Sequence, residues 1–303
     1  MSPKGAGPAT VDAAIVTHES AGEITACLES LLASEGVKWG RIAVVDNASK
    51  DETIAVISDR FPSTELTACE SNLGFAAATN LAASRGRAEF LLVVNPDVSL
   101  EGDTVSTLAE VLRSRPEIGI TGCRLLRPDG SEDHAARRSF PTPVSAVGHF
   151  TGLSRKRRAP ESLKAYLAPG ASEGGAVDAV NGALMLVRRD WFERIGGFDE
   201  SYWMYMEDLD LCWRFRENGW LTWYEPSVGA VHVKGASSGR FRTLKLNWAF
   251  HRGMIRFYHD HLSSDHNPFY NSAVYTGVLI KFAGSALRSW LARSLGTLTG
   301  RNG

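Results

Sequence analysis

Apolar runs of strand length, most of them ending on a polar residue, alternate with helical patterns along the first 130 residues. "VDAAIVTHES" reads as a strand ending at Thr17-His18-Glu19. Ile24, Cys27, Leu28, Leu31 and Leu32 then recur at helical spacing. "RIAVVDNASKDE" is a second strand running into Asp46-Asn47, and Ser49 with Glu52 predicts a capping box for the next helix. "ELTACE" is a short third strand, followed by a glycine-bearing loop and an alanine-rich helix in "SNLGFAAATNLAASRG". "EFLLVVNPD" is a fourth strand. Val105, Leu108, Ala109 and Leu112 mark a helix stopped before Pro116, "IGITGCRLL" is a further strand and "RPDG" a turn. Strands alternating with helices predict an α/β fold, a mostly parallel central sheet with helices on both faces. Ligands of such sheets bind beyond the carboxyl ends of the strands. Thr17, Glu19, Asp46, Asn72 and Asp97 all fall at those ends.

The 303 residues, 44% hydrophobic and 22% charged, are ample for one large core, and a net charge of −1 argues against nucleic acid as a partner. Cys27, Cys69, Cys123 and Cys212 form no CxxC pair and sit in apolar or helical patterns, which suits reduced thiols and a cytosolic compartment. "MSPKGAGPAT" has no apolar signal core, and no unbroken apolar run reaches the ~18–20 residues of a membrane span.

Residues 135–176 are rich in Pro, Gly, Ser and Arg and read as a long mobile loop carrying the basic run "SRKRR", Ser154 to Arg158. That run is either a solvated cluster or a contact for an anionic acceptor or membrane. After the aromatic, acidic stretch that follows, two short strands are expected before "VHVKGASSG". The tail from Phe241 is helical in pattern. Its apolar part, "FYNSAVYTGVLIKFAGSALRSWLARSLG", is either an interfacial helix or one packed on the domain or on a second copy.

Three places carry chemistry. "LLVVNPDVSL" ends a buried strand on Asn95-Pro96-Asp97, which holds a carboxylate stiffly at the sheet edge. Asp97 suits either a divalent cation with oxygen ligands or a turn cap. His232 after a short strand is either a satisfied polar residue or a ligand. "YMEDLDLCWR" sets Glu207, Asp208 and Asp210 at the start of a helix, where the dipole favours them. Three carboxylates among Tyr202, Trp203 and Tyr205 exceed what a cap requires. Partly dry aromatic surroundings can raise a carboxyl pKa toward a base's working range, and aromatic rings stack on sugars.

Taken in order, these stretches resemble the family-2 glycosyltransferases, of GT-A fold, over roughly Val11 to Leu262. "AIVTHES" is similar to their first nucleotide-contacting strand and "VVDNASKDET" to their Val-Asp-Asn/Asp-Gly/Ala-Ser-x-Asp segment. "NLGFAAATN" is similar to the Asn-x-Gly loop, and "NPDV" stands where the DxD metal motif lies. "GGFDESYWMYMEDLDLCWRFRENGW" resembles the acceptor-side block ending in Glu-Asp-x-x-Leu-x-x-Arg. The pattern looks most like the rhamnosyltransferase branch that builds bacterial cell-surface polysaccharides.

The resemblance implies an inverting transferase. It implies a donor half over residues 1–130, an acceptor-binding and catalytic half over 131–240 and a C-terminal helical extension over 241–303. Thr17 and Glu19 would touch the nucleoside, and Asp46 the imide N–H of uracil or thymine. Asn72 and Gly74 would shape the diphosphate side, with Asn95 on the donor's ribose or sugar. Asp97 and His232 would hold Mg²⁺ or Mn²⁺. Asp208 would be the general base with Glu207 beside it. Arg214 would steady the leaving diphosphate or Asp208, and Trp203, Tyr205 and Gly182 would meet the acceptor. The donor implied is dTDP-L-rhamnose, or else a UDP-sugar. The acceptor is a glycan or lipid-linked glycan at the inner membrane face, with peripheral membrane contact and a homodimer left open. Asn95 departs from the first Asp of DxD, and His18-Glu19 from the family's Tyr-Asn pair. The first departure leaves room for a catalytically dead sugar-binding scaffold. No Gly-rich phosphate loop follows the first strand, which argues against a pyrophosphorylase or an NAD enzyme.

Overall fold

The computed structural model describes residues 7–141, 173–233 and 243–299, with side chains described up to 290. The run Ser154 to Arg158 lies outside the described residues.

The first strands form as expected: β1 (Ala9–Thr17), β2 (Val37–Asp46), β3 (Glu65–Ala68) and β4 (Phe90–Val94). Between them run α1 (Ile24–Leu32), α2 (Thr53–Arg60) and α3 (Phe75–Ala83). β3, β2, β1 and β4 lie side by side and parallel, so their carboxyl ends share one edge. The chain continues through β5 (Val98–Leu100), α4 (Thr104–Ser114), β6 (Ile118–Leu126) and a two-residue β7 (Arg137–Arg138). Then come β8 (Gly175–Val177), β9 (Ala179–Val180), β10 (Leu184–Arg188), α5 (Arg189–Arg194), α6 (Glu207–Glu217) and β11 (Leu221–His232). Two helices close the chain, α7 (Leu244–His261) and α8 (Pro268–Thr299).

One sheet takes the order β3-β2-β1-β4-β10-β6-β11-β5, with β8 also on β11. Strands β3, β2, β1, β4, β6 and β11 share one direction, and β10, β5 and β8 run against it. The sheet is therefore mostly parallel. Side-chain alternation splits the core into two layers. Val11, Ala13, Ile15, Leu92 and Val94 pack against α1 and α4. Ala14, Leu91 and Val93 face α3, α6 and α7. The large buried core follows from the near-continuous apolar strands of a sheet covered on both sides.

Local readings need correcting. Ser49 does not cap α2, because its Oγ and N–H both bond to Asp46, and Glu52 makes no side-chain cap. Asp51 caps instead, its Oδ1 accepting from Thr53 N at 3.1 Å. The two short strands expected near the end are one twelve-residue strand, β11, with an irregular register between Glu225 and Gly229 around Pro226. Pro226 has no N–H to donate, so the ladder skips there rather than ending. The segment 135–176 is not loop at its ends. β7 pairs with β9, and β8 joins the main sheet; residues 142–172 are outside the described part.

Candidate active site

At the carboxyl-end edge lies a cleft of about 790 Å³, within the range of small-molecule sites. β1 contributes Thr17, with His18 and Ser20 just beyond it, and the turn after β2 gives Asn47. The loop before α3 supplies Asn72 and Phe75, and the end of β4 supplies Asn95, Pro96 and Asp97. The opposite wall carries Arg138, Asn181, Gly182, Trp203, Tyr205, Glu207 and Asp208, with Thr243, Lys245, Leu246 and Phe250 at the start of α7.

Why the strand ends on Asn-Pro-Asp is answered by the pairing beyond it. Residues 98–100 turn back as β5 and pair antiparallel with β11, with His232 opposite Val98. Val233 N donates to Asp97 O at 2.9 Å, which clamps the two chain segments. His232 Nε2 thus lies 3.3 Å from Asp97 Oδ1. Asp97 Oδ1 and His232 Nδ1 are both buried without a hydrogen-bond partner in the structure. An imidazole ligates an ion through one nitrogen, so an ion held by Asp97 Oδ1 and the facing His232 Nε2 would leave Nδ1 to another partner. One carboxylate and one imidazole fit a Mg²⁺ or Mn²⁺ ion that draws its remaining ligands from a bound diphosphate. Among the described residues no three metal-ligating side chains converge.

The acidic pair opens α6. Tyr205 and Met206, immediately before it, both hold left-handed backbone (φ 71° and 74°). Two such non-glycine residues in a row are strained and mark a functional turn. Asp208 is fully engaged. Its Oδ2 accepts from Gly182 N at 2.9 Å and from the Arg138 guanidinium, and its Oδ1 accepts from Leu209 N at 2.9 Å. Arg138 also donates to Val180 O at 3.2 Å, so the β7–β9 ribbon sets both partners of Asp208. Gly182 permits this approach, since a Cβ there would meet Asp208 Cβ at 3.1 Å. Glu207 differs. Its Oε2 is buried without a partner, and burial, then the charge of Asp208, pushes its carboxyl up to about 8.

Several anticipated residues are placed otherwise. Asp46 is fully buried, its oxygens accepting from Thr17 Oγ1 at 2.9 Å, Ser49 Oγ at 2.6 Å and Ser49 N at 2.9 Å. It holds the cleft wall from behind; neighbouring Asn47 lines the cleft, but its buried amide is tied to the next turn, donating to Gly74 O at 3.1 Å and accepting from Leu73 N at 3.1 Å. Glu19 folds onto the next loop, accepting from Lys50 N at 2.9 Å. Arg214 does not reach Asp208. Its Nε donates to Asp210 at 2.7 Å and its Nη1 to Ile195 O at 3.1 Å. Arg138 holds the place expected of Arg214, and nothing local in the sequence singled it out. Asn72 and Gly74 form the expected turn, with Asn72 Oδ1 accepting from Gly74 N at 2.9 Å. Gly74 has φ 89°, and a Cβ on it would collide with Trp203. Phe75 N donates to Trp203 O at 2.8 Å, so the turn and the aromatic loop close on each other. Tyr205 packs edge-on against Phe250 at 5.7 Å, and Lys245 Nζ sits 4.1 Å from the Trp203 ring centre.

The cleft at the sheet edge thus has a carboxylate-imidazole pair on one wall and a carboxylate paired with Arg138 on the other, in an α/β fold. The profile of Glycosyl transferase family 2 matches residues 12–196, and the chain belongs to that family; it is a glycosyltransferase. The chain is 31% identical over 238 residues to the N-acetylglucosaminyl-diphospho-decaprenol L-rhamnosyltransferase of Mycobacterium tuberculosis, covering 70% of this chain and 74% of that one. It is 29% identical over 162 residues to the rhamnosyltransferase WbbL of Escherichia coli, covering 53% of this chain and 58% of that one. In fold it is similar to GalNAc-T7 solved with UDP, GalNAc and Mn²⁺, with a TM-score of 0.61 and 15% identity over 83% of this chain and 48% of that one. The GT-A architecture is thereby shown.

Proposed function

We propose that this enzyme moves L-rhamnose from dTDP-L-rhamnose to a hydroxyl of a lipid-linked glycan, with inversion at the anomeric carbon. One observation carries the reading: the Asp97–His232 pair and Asp208 line the same cleft. The mycobacterial relative, named for rhamnosyl transfer to a diphospho-decaprenol-linked sugar, supports the donor and acceptor class. A second reading, a UDP-sugar donor, is supported by the UDP held in the GalNAc-T7 structure.

Thr17, His18 and Asn47 offer contacts for the nucleoside, with Asp46 fixing Thr17 from behind. Asn72, Asn95 and the turn at Gly74 form the diphosphate and sugar side. Asp97 and His232 would hold Mg²⁺ or Mn²⁺, which when bound offsets charge growing on the departing nucleoside diphosphate. Trp203 and Tyr205 offer aromatic faces to the acceptor sugar. Arg138 and the Gly182 N–H hold Asp208 in position. The acceptor oxygen forms its bond to the anomeric carbon as the bond to the diphosphate oxygen breaks. Asp208 takes the hydroxyl proton, and dTDP leaves with the electron pair. Buried, protonated Glu207 keeps a second negative charge away from that centre.

The test is release of dTDP from dTDP-L-rhamnose with Mn²⁺, with and without a polyprenyl-diphosphate N-acetylglucosamine acceptor. Acceptor-dependent release with a β-linked to α-linked change supports the reading. Faster release from UDP-sugars would move the enzyme to the second reading.

A further inference from the structure

The longest helix among the described residues is apolar on both sides. α8 spans 32 residues, and its inner side packs on α7: Tyr275 meets Tyr258 at 5.6 Å, Phe282 meets His251 at 5.6 Å and Trp248 at 5.2 Å. Ser285 Oγ donates to Asn247 Oδ1 at 2.9 Å. At 100° per residue, Phe269, Ala273, Ile280 and Leu287 fall on the opposite side. Phe269, Ile280 and Leu287 are 90%, 67% and 56% exposed. A helix apolar all round is ordinarily covered on all sides.

Charge and position point to what covers it. Residues 268–299 contain Lys281, Arg288 and Arg293 and no Asp or Glu. Lys281 and Arg288 project along one flank of the exposed stripe, about 80–100° from Ile280 at the helical period. Trp290, 62% exposed, lies on the other flank. An all-basic helix with a broad apolar stripe and an exposed Trp matches an interfacial helix on anionic lipid. A twofold contact with a second copy would set these like charges together with no carboxylate on the helix to offset them. No described helix is long and apolar enough to cross a membrane.

The two helices run antiparallel, since Tyr258 meets Tyr275 while Asn247 meets Ser285. α8 therefore passes the start of α7, where Lys245, Leu246 and Phe250 line the cleft. Beyond Ser285 it continues for roughly 20 Å. Leu244 and Trp248, 60% and 44% exposed, lie at that same end, and Lys245, Trp248 and Arg252 line a smaller basic, aromatic cleft beside it.

We propose that the outward face of α8, together with the exposed start of α7, docks on an anionic lipid surface and sets the mouth of the cleft against it. The docking stands without the donor assignment; only its purpose, meeting a lipid-linked acceptor, rests on the proposed function.

The test is flotation of the full chain with vesicles of phosphatidylcholine alone or mixed with phosphatidylglycerol. The protein should float with the anionic vesicles and weaken with salt. The double variant Ile280→Glu/Leu287→Glu should lose binding by roughly tenfold or more. Its helical circular dichroism and its thermal shift with dTDP should match the parent, which separates lost docking from a lost donor site. Arg288→Glu, a milder change, should weaken flotation several-fold. Failure of the parent to float with anionic vesicles overturns the proposal. So does undiminished flotation of both variants, or a parent dimer that the double variant converts to monomer without altering flotation.

Discussion

Two adjacent carboxylates at the start of α6 have opposite fates, and neighbours decide which. Asp208 is ion-paired with Arg138 and receives two backbone N–H groups, whereas Glu207 has no partner for Oε2 and is pushed up to about 8 by burial and by Asp208. Burial and the neighbouring Asp208 favour the proton-bearing form of Glu207, so Asp208 is the base in the proposed reaction. Asp208→Asn keeps the shape and removes the base, and turnover should fall by about 10²–10⁴-fold with dTDP binding retained. Full activity in that variant, measured by dTDP release, would reassign the base. Glu207 also ties stability to pH. The folded state keeps its proton up to about 8, while the unfolded chain releases it near 4.5. The folded state binds the extra proton in that window, so stability falls as pH rises across it. Glu207→Gln stays neutral, so its Tm should decline less than the parent's between about pH 5 and about pH 8. Equal slopes would mean that Glu207 ionises in the folded protein well below that window.

At the scale of elements, the site depends on turns that only certain residues tolerate. Gly74 sits at φ 89° against Trp203. Gly74→Ala strains the backbone and pushes on the aromatic loop, so a stability loss of at least ~1 kcal/mol is expected. Chemical denaturation reads it, and donor binding should weaken along with it. An unchanged midpoint would show that the loop gives way freely. This turn was legible in the sequence, as were β1 to β4 and the acidic start of α6, because apolar period, glycine and the helix dipole's preference for acidic residues are local, whereas the capping box expected at Ser49 and Glu52 did not form. The pairing of β5 with β11 was not. "VSL" is too short to declare a strand, and its partner lies 130 residues on, yet that register brings His232 to Asp97. Arg138 was hidden for the same reason. A basic residue in a Pro- and Gly-rich stretch has no local mark, and only the ribbon to β9 turns it toward Asp208. Arg214, at a conventional helix spacing, was instead claimed by Asp210 four residues before it.

Across the whole molecule, the sheet edge gathers residues from the ends of β1, β4 and β11, the turn after β2 and the start of α6 into one cleft; the start of α7 lines it too, and α8 packs on α7. The proposed function requires this cleft to hold a nucleotide-sugar, and Asp97 and His232 would hold the Mg²⁺ or Mn²⁺ that offsets the diphosphate's charge. The most direct measurement is the thermal shift of the full chain with dTDP-L-rhamnose, UDP and GDP, each with and without Mn²⁺, beside Asp97→Ala. A ligand at 100-fold its Kd stabilises by ~2.7 kcal/mol, a readable change. A Mn²⁺-dependent rise is expected, larger for dTDP-L-rhamnose than for UDP or GDP, and Asp97→Ala should abolish it. No shift with any nucleotide in the presence of Mn²⁺, or an equal shift in Asp97→Ala, would contradict it.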